Sequence, residues 1–105
     1  MHVWSSLPEA EPELRERIAE LSRRPFDVLE RLPEWSDAGP SADGIEFTLN
    51  RRDRPDGRTE IVLQAYRPGR RILFVKFGRM SAHGFWATPD GVVVPMPPEA
   101  LYDYT

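Results

Sequence analysis

Proline divides this chain more firmly than any other residue does. It has no backbone N–H to give to a helix or a strand ladder, so regular structure must run between prolines, begin on them or turn at them. Eleven prolines in 105 residues leave, among others, the proline-free intervals 13–24, 26–32, 41–54, 56–67, 69–88 and 90–94. The first holds Leu14, Ile18 and Leu21 at helical spacing among charged residues, and Pro12 suits a first helical turn. A helix is predicted over about 12–23. Pro25 opens a second, shorter helix over about 25–32, with Phe26, Leu29 and Leu32 on one stripe and Pro33 as its stop.

From about residue 44 the apolar period changes from roughly 3.6 to 2, which is the strand signal. Pro55-Asp56-Gly57 and Pro89-Asp90-Gly91 each set proline and aspartate in type I turn positions and glycine where φ must be positive. Pro68-Gly69 predicts a third turn, spanning Arg67 to Arg70. A turn determines which residues face each other, so the strand reading can be tested for consistency. The first turn sets Leu49 against Leu63, Phe47 against Ala65 and Arg52 against Glu60. The Pro68-Gly69 turn sets Ala65 against Ile72, Leu63 against Phe74 and Val62 against Val75. Two apolar rows then cross three strands: Leu49, Leu63, Phe74 and Phe47, Ala65, Ile72. The last hairpin pairs Trp86 with Val94 and Ala87 with Val93. Between them, 78–84 has two glycines and no clear period, so it reads equally as a bend in a long strand or as a connection.

The expected fold is one α+β domain over 1–105, with two short N-terminal helices packed on one face of an antiparallel meander of about five strands. The sheet spans about 44–95, and a tail over 96–105 follows, in which Pro98 can begin a helical turn.

The absence of cysteine removes disulfides, thiolate nucleophiles and cysteine-ligated zinc, and it fits a cytoplasmic protein. The N-terminal residues lack a basic segment followed by an apolar stretch, so no signal peptide is read. The longest aliphatic and aromatic run is Ile72-Leu73-Phe74-Val75, far short of the roughly 18 residues of a membrane span. A soluble protein without a membrane partner is expected.

The second face of the predicted sheet is the most informative functional feature, because a solvent face should be polar throughout. It would carry Val62, Tyr66, Leu73, Val75 and Phe77 beside Thr48, Gln64, Arg52 and Arg71. One account folds the tails over it, bringing Trp4, Trp35, Leu101, Tyr102 and Tyr104. The other leaves it open as a contact surface for another protein or for a second copy of the chain. The expected function is therefore binding, with Val62, Tyr66, Leu73, Val75, Phe77, Arg52 and Arg71 as the partner-binding residues.

Charge offers an alternative. Residues 1–43 carry 5 basic and 10 acidic side chains, and residues 44–80 carry 9 and 4. Arg51, Arg52, Arg58, Arg67, Arg70, Arg71, Lys76 and Arg79 lie among Tyr66, Phe74 and Phe77, the mixture a single-stranded nucleic-acid surface uses for phosphates and base stacking. Catalytic signals are thin. His83, with Ser81 and Asp90, is the one grouping worth testing as a nucleophile and base, and no carboxylate pair or histidine cluster stands at a spacing specific to acid–base work or metal binding. No catalytic residue, metal or cofactor is assigned, and Pro95, Pro97 and Pro98 read as a strand exit or a short extended ligand.

Overall fold

The computed structural model describes residues 2–40 and 44–104, with side chains described except at 2–4, 40, 70–72, 76, 77 and 102–104. The class is mixed α+β. The strands are β1 (His2–Ser5), β2 (Trp35–Pro40), β3 (Glu46–Asp53), β4 (Thr59–Ile72), β5 (Val75–Ala87) and β6 (Val93–Pro95), in one sheet of order β1-β5-β4-β3-β2. From β2 to β6 each strand is antiparallel to the next, while β1 and β6 share the same edge of β5: β1 runs parallel beside 76–79 and β6 antiparallel beside 85–87.

The helical segment comprises a 3-10 turn (Pro8–Ala10), α1 (Glu11–Ser22) and a single four-residue turn, α2 (Phe26–Leu29). Pro12 falls in the first turn of α1, where its missing N–H has no intrahelical partner to lose, and Glu11 and Glu13 there suit the positive end of the helix dipole. Ion pairs Glu11–Arg15, Glu13–Arg17 and Glu20–Arg24, each glutamate four residues before its arginine, line its solvent side. The second helix predicted over 25–32 shrinks to α2, capped by Pro25, after which Arg31 N–H and Leu32 N–H bond to the carbonyls three residues back rather than four, ahead of Pro33.

The core lies between the helical segment and the sheet face carrying alternate residues of the central strands. Phe47, Phe85, Leu7, Leu14, Leu29, Ile61 and Leu63 are each less than 2 % exposed there. The Pro-Asp-Gly turns act as predicted: Leu49 pairs with Leu63, Phe47 with Ala65, Arg52 with Glu60 and Trp86 with Val94. Gly57 and Gly91 have φ of 88° and 89°, a region that glycine enters without steric cost.

The third turn is not where Pro68-Gly69 suggests. β4 continues through both residues, and the chain reverses at Leu73-Phe74, between the paired Ile72 and Val75. Leu63 therefore faces His83 rather than Phe74, Ala65 faces Ser81 rather than Ile72, and Val62 faces Gly84 rather than Val75. β3 ends opposite Tyr66, so beyond it β4 has β5 on one side only, and an edge tolerates proline. A bulge between Pro68 and Arg71 takes up the extra residue. The 78–84 segment is the middle of β5.

The ends of β4 and β5 thus form an arm, and the molecule measures 49 × 29 × 22 Å. Leu7 N–H, fully buried, donates to Ser81 Oγ at 2.9 Å and ties the N-terminal segment to β5. Ser81→Ala leaves that donor unpaired and is expected to cost about 1–2 kcal/mol, read from the urea unfolding midpoint.

Candidate interaction surface

The second sheet face is built from the other set of alternate residues, and it divides into three parts. At one end Val62 is fully buried beneath Met96 and Leu101, with Ala82, Trp86 and Ala100 packed around them. Pro95 ends β6, Met96 N–H donates to the Gly84 carbonyl at 2.9 Å, and the chain then enters a 3-10 segment, Pro98–Tyr104. The C-terminal tail covers this end of the face, as one of the two accounts required of Leu101. Tyr102, Tyr104 and Trp4 lie outside the described side chains.

Beside this cap, Glu60 is only 4 % exposed and accepts from Trp86 Nε1 at 2.9 Å, with Arg52 at 3.9 Å. Arg58 lies over the Trp86 ring at 4.6 Å and is held by Asp56 at 2.7 Å. The Asp56 carboxyl is held below its ordinary range first by the Arg58 backbone N–H and then by the guanidinium.

The middle of the face is polar. Gln64 Oε1 accepts from Thr48 Oγ1 at 3.0 Å and from Asn50 Nδ2 at 2.9 Å. At the sheet edge Trp35, 62 % exposed, pairs in register with Asn50, and Asp37 with Thr48. Trp35, Asp37, Glu46 and Thr48 line a groove of about 350 Å³.

The third part is the arm. Leu73 and Phe74 form its tip, 85 % and 86 % exposed. Leu73 has φ of 54°, in the left-handed region that glycine enters without steric cost. A leucine held there is strained by roughly 1–2 kcal/mol. Tyr66, half-buried, stands at the root of the arm opposite Glu46 and Met80. Val75, half-buried on the returning strand, falls in the alternate set of Ser81, His83 and Phe85 and not on the second face, because the chain reverses at Leu73-Phe74 rather than at Pro68-Gly69. The Phe77 and Arg71 side chains lie outside the described residues.

The basic candidates scatter. Arg51 is on the helix-facing side, donating to the Leu32 carbonyl and to Asp53 at 2.7 Å, a bond that lowers the Asp53 carboxyl below its usual range. Arg79 reaches back to Glu9 at 2.9 Å and to the Ser6 carbonyl at 3.2 Å. Arg67 makes further contacts of its own, and the side chains of Arg70 and Lys76 lie outside the described residues.

Ser81, His83 and Asp90 are not brought together. Ser81 Oγ is bonded to Leu7, His83 Nε2 meets the Glu11 carboxylate on α1, and Asp90 is paired with Thr88 in the last turn. Two site features escaped sequence reasoning: β2 with its Trp35 groove, and the true tip of the arm. The bulge between Asp37 and Gly39 and the Pro40 end hide β2 from any period-2 test, and the Pro68-Gly69 signal outweighed Leu73-Phe74.

Among the described residues, no helix is long and apolar enough to cross a membrane. Compared with known proteins, the chain matches no family model, no curated sequence and no solved structure.

Proposed function

We propose that this protein acts by binding another protein chain through the second face of its sheet, with the arm tip as the principal contact. The observation that carries this reading is the pair Leu73 and Phe74, adjacent, more than four-fifths exposed and at the end of a projecting hairpin. Single exposed apolar side chains are ordinary on protein surfaces, but two neighbours at an extremity form a contact that only a partner can desolvate. The positive φ of Leu73 supports the same reading, because backbone strain of this kind gathers at binding sites. Full burial of Val62 moves the contact away from the capped end, toward Tyr66 and the Leu73-Phe74 tip.

Nucleic-acid binding is the weaker reading. Arg51, Arg58 and Arg79 already serve carboxylates and carbonyls of their own chain, so a phosphate would have to compete with those partners.

A photo-crosslinking residue at position 73, used in cells and analysed with and without nuclease, tests the proposal. A discrete protein adduct that disappears when Phe74→Asp is added beside the position-73 crosslinker is expected. At a concentration where both are monomeric, that variant should unfold within about 0.5 kcal/mol of the parent, as exposed positions do. No adduct, or an adduct removed by nuclease, overturns the proposal.

A further inference from the structure

The arm and the groove carry opposite chemistry on one molecule. Between Glu60 and Asp90 the sequence has no carboxylate, yet it has Arg67, Arg70, Arg71, Lys76 and Arg79. Arg70 and Arg71 immediately precede the tip strand end at Ile72, and Lys76 follows it at Val75, so the apolar tip is flanked by cations by sequence position alone. The groove offers the complement: an exposed indole, Trp35, beside the exposed carboxylates of Asp37 and Glu46. Neither carboxylate makes an ion pair among the described residues; one Asp37 oxygen accepts only the Gly39 N–H, at 2.8 Å. β2 is the last strand on its side of the sheet, so nothing in the described fold closes the groove from that edge.

Resting on the binding reading above, we infer that the partner is a second copy of this chain, the Leu73-Phe74 tip of each copy seating against Trp35 of the other, with the flanking cations against Asp37 and Glu46. The groove lies on the same sheet face as Tyr66 at the arm root, since Glu46 pairs with Tyr66 and Asp37 with Thr48. A two-fold axis therefore brings both arms to both grooves and closes the assembly as a dimer. Charge complementarity fixes the pairing and the tip supplies the desolvated anchor.

Two charge reversals test this by light scattering. The parent is expected to be dimeric, with the dimer weakened by added salt. Asp37→Arg/Glu46→Arg makes arm and groove both basic; Arg70→Glu/Arg71→Glu/Lys76→Glu makes both acidic. Each variant alone should associate roughly tenfold or more weakly than the parent, and an equal mixture should regain the dimer as a heterodimer. Asp37→Asn/Glu46→Gln, which removes the charge with little change of shape, should also weaken the dimer, and circular dichroism verifies the fold of every variant. A parent that stays monomeric at its highest soluble concentration, or a dimer indifferent to both reversals, overturns the inference. Such a result with a position-73 adduct to a different protein leaves the binding reading standing; the same result with no adduct removes both.

Discussion

Gly84→Ala is expected to destabilise the protein by about 3 kcal/mol, at the upper end of the usual cost of overpacking. A Cβ at this position would lie 2.7 Å from the Ile61 carbonyl oxygen, 2.9 Å from Met96 Sδ and 2.9 Å from Val62 Cγ2. The two side-chain atoms can move, but the carbonyl belongs to the central strand β4 and cannot. The glycine is thus needed for close approach: it lets Met96 sink onto the sheet, where Met96 is 7 % exposed and its N–H reaches the Gly84 carbonyl. Urea unfolding should show a lower midpoint at unchanged slope, and limited proteolysis should cleave the C-terminal segment faster. Met96→Ala alone should cost about 2–5 kcal/mol as a cavity. The double variant should lose less than the sum, because removing the thioether relieves one clash of the alanine. A Gly84→Ala protein as stable as the parent would mean that the C-terminal cap does not press on β5.

How much of this was written in the sequence depends on whether the signal was local. The Pro-Asp-Gly turns are local: three residues demand one geometry, and every register they imply holds, from Arg52 opposite Glu60 to Trp86 opposite Val94. Pro68-Gly69 looks as strong, but its meaning depends on whether β4 has a neighbour there. Because β3 stops opposite Tyr66, the proline costs the sheet little and the chain runs on to Leu73. The error moved Phe74 from an expected core row to an exposed tip. It equally hid the ladder on β5 in which Ser81 and His83 hold Leu7 and Glu11. β1 is a different case: its four residues pair in parallel with a strand more than seventy residues away, and no turn links the two. Val62, expected among the partner-binding residues, is instead fully buried, because its cover depends on where Met96 and Leu101 travel, which periodicity does not contain.

The same contrast sets two phenylalanines of this chain against each other. Phe47 is fully buried at the centre of the sheet between Gly39 on β2 and Ala65 on β4, and Arg17 of α1 lies 4.1 Å from its ring centroid. That arginine also donates to the Ala38 carbonyl at 3.1 Å and to Glu13 at 3.2 Å, so the ring supports a link between helix and edge strand. Phe47→Ala is expected to cost about 3–5 kcal/mol, since the backbone on both sides is fixed by ladders and cannot collapse into the void. Against a total of about 5–15 kcal/mol for a domain, this loss should lower soluble yield as well as the urea midpoint. Arg17→Ala should cost about 0.5–1 kcal/mol by itself and close to nothing once Phe47 is gone, which a double-mutant cycle measures. A loss below about 1 kcal/mol for Phe47→Ala would contradict the placement of the core. Phe74→Ala should do the reverse: it should weaken association, and the unfolding midpoint taken at a concentration where both proteins are monomeric should stay in place, because at 86 % exposure its ring has little native burial to lose and a contact surface to lose instead.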